Sequence, residues 1–199
     1  MMESQIDLIK KNRSCRRFVQ SHPVDDASLN LMIEAARLSP SARNKQTLKY
    51  FIVNDPALCA KIFPTLAWAG YLSDWDGPEE VERPSAYIVQ LHDMRISPVF
   101  SCDDGIAAQS IMLEATDLGY GGCIIDSVKR EVLADTLHIP DFMKILRVFA
   151  LGVPGEKVVI EEMHDEDCKY WRDADGVHHV PKRSAEELIF QKNLDTKMF

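Results

Sequence analysis

No stretch of this chain approaches the roughly 20 consecutive apolar residues that a bilayer span requires, and residues 1–10 lack the apolar centre of a secretory signal. Both absences point to a cytoplasmic protein. There is no Cys-x-x-Cys pair, and five cysteines (Cys15, Cys59, Cys102, Cys123, Cys168) are an odd number that suits reduced thiols better than a disulfide framework. No Gly-x-Gly-x-x-Gly follows a strand-like segment, which removes the Rossmann fingerprint and with it the usual grip on FAD or a tightly held dinucleotide. Positive charge is scarce: 23 Lys and Arg stand against 31 Asp and Glu, a net charge of −8, which argues against a nucleic-acid surface or an anionic membrane face. Any place where cations do cluster therefore stands out.

What is present is a chain of 199 residues, 46% hydrophobic, long enough to bury a substantial core. No shift in composition divides it, so it reads as one domain over residues 1–199. The organising stretch runs from Ser101 to Asp126. Ser101 reads as a helix N-cap with Asp104 three residues on, and Asp103 and Asp104 suit the positive end of the helix dipole. Ile106, Ala107, Ala108, Ile111, Met112, Leu113, Ala115 and Leu118 cover more than one helical face, which predicts burial on most sides. The small residues among them let a second helix approach closely, from this chain or from a symmetry mate. Gly119 should end the helix, and Gly121 and Gly122 follow, where absent side chains let a flat ligand lie against backbone N–H groups. A plain helix stop and turn before a strand is the alternative.

Near the N-terminus, Ile6 and Ile9 mark a short helix that gives way to Asn12-Arg13-Ser14-Cys15-Arg16-Arg17-Phe18, the most basic spot in an acidic chain. The arginine fork matches phosphate oxygens two at a time, and a serine hydroxyl adds a donor, so this cluster is a candidate phosphate site; a solvated charged loop is the alternative. A helix begins after Asp25 and must stop near Ser39-Pro40. The loop that follows carries Ser41, Asn44 and Gln46 into a strand at Tyr50-Phe51-Ile52-Val53. Trp68, Tyr71 and Trp75 recur at spacings of three and four, as core or as an aromatic lid over a planar substrate pocket. Further strands are expected at 86–91, 123–125 and 147–151, with a helix over Val128 to Leu137. The acidic run from Glu161 to Asp167 reads as a solvated loop, Asp173-Ala174-Asp175-Gly176 as a hairpin turn, Lys182 and Arg183 as a second basic spot, and Ala185 to Phe190 as a last helix with Ser184 and Glu187 as its capping box. The final nine residues read as a tail that wraps a partner. His164, Cys168, His178 and His179 are metal-ligand types, but neighbours on a strand point to opposite faces, so His178 and His179 do not readily share one ion and no metal is expected.

Taken together, Arg13-Ser14-x-Arg16-x-Phe18, Pro40-Ser41-Ala42-x-Asn44-x-Gln46, the small-residue helix ending in Gly119-Tyr120-Gly121-Gly122, Ala150-Leu151-Gly152-x-Pro154 and the late Pro181-Lys182-Arg183 resemble the nitroreductase family of FMN-dependent oxidoreductases, in the same order and at similar spacing. The resemblance implies an α+β fold with a central, mainly antiparallel sheet flanked by helices, and an intertwined homodimer with one FMN at each subunit interface. It implies that Arg13, Ser14 and Arg16 meet the phosphate and the polar edge of the flavin. Ser41, Asn44 and Gln46 would meet the ribityl chain and ring edge, Gly121 and Gly122 the region near flavin N5, and Lys182 or Arg183 the phosphate. Flavin N5 would carry the electrons from NADH or NADPH to a nitroaromatic, quinone or similar small-molecule acceptor in a ping-pong cycle, with no catalytic triad and no obligatory acid–base residue. A flavin-dependent dehalogenase or dehydrogenase of the same fold, and a non-catalytic flavin-binding protein, share these motifs.

Overall fold

Short apolar runs alternating with helical stretches become, in the computed structural model, a sheet with helices on both faces; residues 4–99 and 101–190 are described. Strands β1 (Leu48–Val53), β2 (Ala86–Asp93), β3 (Gly121–Ile125) and β4 (Met143–Gly152) form one antiparallel sheet in the order β1-β2-β4-β3. This is the α+β arrangement with an antiparallel centre that the resemblance implied. All of β2 is buried, as a central strand covered on both faces must be. On one face Tyr87, Val89 and Leu91 pack with Ile62 of α3 (Pro56–Ile62) and Leu133 and Leu137 of α5 (Arg130–Leu137). On the other, Ala86 and Ile88 pack with Leu29, Met32 and Ala36 of α2 (Asp26–Leu38) and with α4 (Asp103–Asp117). A bulge pairs Gln90 with Arg147 and Leu91 with Ile145, which leaves Leu146 as the extra residue and places Arg147 beside Asp104 at 2.5 Å.

Helix ends follow local chemistry. The Asp25 carboxylate accepts the Ser28 N–H at 2.8 Å, and α2 stops at Ser39 ahead of Pro40. At the end of α4, Gly119 takes φ +84° while the Tyr120 N–H reaches back to the Ala115 carbonyl at 2.8 Å, the αL stop expected of that glycine. The start of α4 differs from the capping box read from sequence. Cys102 is the N-cap, Ser101 donates to Asp103 at 2.7 Å, and Asp104 pairs with Arg147, so both acids serve tertiary contacts. Burial of α4 is also narrower than expected: Ala107, Ala108, Ile111, Met112 and Ala115 are buried, whereas Gly105, Ile106 and Gln109 are exposed. The first helix, α1 (Gln5–Lys11), packs on α4 as well.

The chain divides into two contact units, one ending at Glu156 and one starting at Lys157. In the second, β5 (Val158–Glu162) lies parallel to β7 (His178–Lys182), and β6 (Trp171–Arg172) pairs with β7 antiparallel. Glu161 and Glu162 belong to β5, so the acidic loop begins later than the charge pattern indicated. The hairpin between β6 and β7 forms as read: Gly176 has φ +78°, and the Asp173 carboxylate accepts the N–H groups of Asp175 at 3.0 Å and Val177 at 2.8 Å. The last helix, α6 (Ala185–Leu188), ends two residues before the expected Phe190, and the helix expected from Val128 starts at Arg130 because Val128 is bridged to Leu66. The expected nine-residue tail lies outside the described residues.

Two expected outcomes arise here. A Cβ at Gly122 would sit 2.2 Å from the Ala150 carbonyl oxygen, whereas one at Gly119 meets nothing within 4 Å and suffers only its positive φ. Gly122→Ala should therefore cost about 3 kcal/mol and Gly119→Ala about 1 kcal/mol in denaturant unfolding; equal costs would contradict the packing described. In the second unit, His179 Nδ1 lies 2.7 Å from Glu161 and Nε2 3.0 Å from Asp173, with the ring stacked on Trp171 at 4.9 Å. Hydrogen bonds to Asp173 and then Glu161 raise its pKa above the ordinary 6.5. A raised folded-state pKa stabilises fully below the unfolded value and is lost as pH rises through the folded one. The imidazole resonances should titrate above pH 6.5 in the native protein, and the protection of the hairpin amides should fall as they do.

Candidate functional site

The sequence places its basic cluster and its glycine cluster more than a hundred residues apart, and the backbone joins them. Ser14 and Gly122 form a parallel bridge, and the Cys15 N–H donates to the Gly122 carbonyl at 2.9 Å. The chain then continues across the end of the sheet, where the Val19 N–H donates to Val153 and the Gly155 N–H to Arg17, at 2.9 and 2.8 Å. Arg13, Ser14 and Arg16 are thus brought beside Gly121 and Gly122. The two glycines are first of all a packing requirement, since a Cβ at Gly121 would meet Pro154 at 2.8 Å and one at Gly122 would strike the Ala150 carbonyl.

The electrostatics of this junction favour an anion. Arg13 donates through Nη2 to the Ile9 carbonyl at 2.9 Å, which fixes the side chain, while its buried Nε has no hydrogen-bond partner among the described residues. Desolvation by burial lowers the Arg13 pKa, the mark of a guanidinium short of compensating contacts. Burial pushes the Cys15 thiol up to about 11, with Glu156 adding to it, and the Cys123 thiol up to about 12. Both thiols are neutral at physiological pH and offer no negative charge to the arginines. Glu156 is engaged by the backbone, its Oε1 accepting the Arg16 N–H at 2.5 Å. A guanidinium N–H without a partner among the described residues, an exposed serine and two uncharged thiols fit a phosphate group, with Glu156 already engaged by the Arg16 backbone.

Ser41, Asn44 and Gln46 lie elsewhere in the chain. Ser41 Oγ donates to Asp103 at 2.7 Å and accepts the Gln46 N–H at 2.9 Å, and Arg43, Asn44 and Gln46 all take positive φ near +50°. Asp103 opens α4 and Gly121 follows its far end, so the helix, 15 residues long, holds this loop about 20 Å from the arginine cluster within one chain. Of the aromatic trio, Trp68 and Trp75 pack on the same core cluster and Tyr71 does not. Trp68 is buried and stacks on Phe63 at 5.6 Å, Tyr71 is exposed, and Trp75 is half-buried with the Arg17 guanidinium 5.8 Å from its ring. The segment is two consecutive turns, Ala69 to Leu72 and Leu72 to Trp75, with Tyr71 exposed between the two tryptophans. Lys182 closes β7, and Arg183 faces Glu187 at 3.6 Å, both in the C-terminal unit. In that unit His178 is buried beside Tyr170 and His179 is held by its two carboxylates; no group of three potential metal ligands converges among the described residues.

Three organising residues were not singled out from the sequence. Asp103 anchors the Ser41 loop, having been assigned to the helix dipole; Glu156 holds the Arg16 backbone; and Glu82 faces Arg17 at 3.4 Å while its carbonyl accepts the Phe18 N–H at 2.9 Å. Each acts on a segment at least fifty residues away, and no local pattern marks such a pairing.

The profile of the nitroreductase family matches residues 9–84 and 88–153. A protein of Archaeoglobus fulgidus provisionally named an NADH dehydrogenase/NAD(P)H nitroreductase is 26% identical over 172 residues, 82% of this chain and 93% of that one. An NADPH-dependent oxidoreductase of Staphylococcus saprophyticus is 26% identical over 174 residues, 78% of this chain and 67% of its own. Among solved structures, an FMN-dependent nitroreductase of Clostridium difficile superposes with a TM-score of 0.61 at 23% identity over 86% of this chain and 94% of that one, a likeness of fold. With the match covering both the arginine segment and the glycine-led strand that it abuts, the chain belongs to the nitroreductase family, whose members are FMN-dependent oxidoreductases drawing on NAD(P)H.

Proposed function

We propose that this protein passes hydride from NAD(P)H to a nitroaromatic, quinone or similar acceptor by a ping-pong cycle, as a homodimer with one FMN at each interface. The observation that carries the reading is the junction of Arg13-Ser14-Cys15-Arg16 with Gly121-Gly122 through the Ser14–Gly122 bridge, which sets Arg13, whose Nε has no hydrogen-bond partner among the described residues, beside the start of the glycine-led strand. FMN, when bound, supplies the hydride-accepting and hydride-donating centre, N5. The residues of this chain bind and orient it: Arg13 and Arg16 neutralise the phosphate, Ser14 adds a hydroxyl, and the Gly121–Gly122 edge presents backbone to the ring. Both nearby thiols stay protonated, so neither acts as a thiolate base or nucleophile.

A second copy accounts for the loop that one chain holds at a distance. A twofold partner can bring its own Ser41, Asn44 and Gln46 to the arginine cluster, and the apolar side chains exposed on α1 and α4, Ile6, Ile9 and Ile106, provide the surface to bury. The alternative of a flavin dehalogenase or dehydrogenase keeps the same binding residues and differs only in the acceptor.

The purified protein should release FMN on heating, one per chain. In titrations of stripped protein, Arg16→Ala should weaken FMN binding about ten- to a hundredfold, the worth of one charge-assisted hydrogen bond, with circular dichroism unchanged. Release of FAD, or unchanged affinity in the variant, defeats the assignment. Light scattering should give the mass of two chains, and Ile106→Arg should yield monomers that lose flavin together with the partner; monomers that retain flavin would refute the shared site.

A further inference from the structure

Apart from the arginine junction, a cavity of about 360 Å³ opens next to α3, lined by Pro56, Cys59, Phe63, Glu80, Arg83 and Tyr87. It sits where β1 ends and β2 begins, since Asn54 and Ser85 also line it. With the strand order β1-β2-β4-β3, the β1 edge is three strand spacings, about 14 Å, from the strand that starts with Gly121. Gln20, four residues beyond Arg16, also lines the cavity, which thus opens beside the arginine segment but at the β1–β2 side of the sheet, away from the Gly121–Gly122 strand.

Two of its polar groups are left over by the protein itself. The Arg83 Nε and the Tyr87 hydroxyl are buried and lack hydrogen-bond partners among the described residues, an arrangement that native proteins seldom leave unanswered. Arg83 is oriented by Phe63, whose ring centroid lies 4.0 Å from the guanidinium carbon, so one face of the cation is covered and its edge remains for a ligand. Tyr87 is 1% exposed; burial raises its pKa and Arg83 opposes that rise, which keeps the group a neutral donor within electrostatic reach of the guanidinium. Burial likewise pushes the Cys59 thiol up to about 11, and its Sγ donates weakly to the Val53 and Ser85 carbonyls at 3.8 Å, so it adds no charge. Glu80, an exposed residue, contributes the opposing carboxylate.

We propose that this cavity binds a small monocarboxylate with a flat apolar body, its carboxylate on Arg83 and its body against Phe63 and Pro56. One cation facing one rim carboxylate suits a single negative charge and disfavours a phosphate dianion. The flat body follows from the ring and proline walls.

The test uses benzoate on the flavin-loaded protein. Phe63 stacks on Trp68, so filling the cavity should change tryptophan fluorescence saturably while leaving the flavin absorption spectrum unchanged. Benzamide, of the same shape without the charge, should bind about tenfold or more weaker, and Arg83→Gln should weaken benzoate by a similar factor. Ala60→Phe, which fills the cavity from an exposed position of α3, should abolish the response even if Arg83→Gln proves poorly folded. Benzoate that perturbs the flavin spectrum equally in wild type and Ala60→Phe, equal affinity in both variants, or no saturable response up to about 10 mM overturns the proposal. Binding is read without turnover, so a failure of the oxidoreductase reading would remove the absorbance comparison and leave the fluorescence titration intact.

Discussion

The close approach of residues 14–19 to the ends of β3 and β4 is the constraint on which the site depends. It places Phe18, 2% exposed, against the backbone of the sheet end, where a Cβ at Gly152 would meet the Phe18 ring at 2.9 Å and one at Gly155 the Phe18 backbone at 2.9 Å. Buried aromatic area and three backbone hydrogen bonds then hold an arginine-bearing segment in a fixed position. Without that anchor the arginines would be a solvated loop whose charges are screened within about 10 Å. The glycines thus act at one remove: they admit the segment, and the segment carries the charge.

Helix α4 acts as a spacer between two sets of polar residues. Its first residue fastens the Ser41 loop and its last turn leads into the glycine strand, so the distance between them is set by backbone geometry and cannot be shortened by side-chain motion. One face of the helix is committed to the core, through Ala107, Ile111 and Ala115, while Ile106 looks outward.

Charge is distributed to serve these contacts. In a protein of net charge −8, acidic residues near the arginine segment are occupied: Glu156 by the Arg16 backbone and Glu82 by Arg17. Arg13, whose Nε lacks a hydrogen-bond partner among the described residues, has a donor to offer an anion from outside the chain. Partial burial strengthens that preference, because a desolvated guanidinium gains more from an anion than an exposed one does.

Much of this was legible in the residue string, since it rests on neighbours in sequence. The Asp25 cap and the stop before Pro40, the αL end at Gly119, the strand at 86–91 and the Asp173–Gly176 turn each follow from chemistry within four or five residues, and the order of motifs along the chain carried the family. The same local logic placed Asp103 and Asp104 in the first turn of α4 and Trp68 and Trp75 against the core, but reached neither the tertiary contacts of the two acids nor the turns that leave Tyr71 exposed. In those places the outcome was set by partners sixty residues away, Ser41 for Asp103, or by turns that break the helical period. Only the tertiary structure decided that Ser14 and Gly122 meet, that Ser41 does not join them in one chain, and that Trp68 enters the core while Tyr71 is exposed. The physical reason is that capping and turn formation are satisfied by the nearest backbone groups, whereas the pairing of distant segments depends on which close approaches the packed sheet permits.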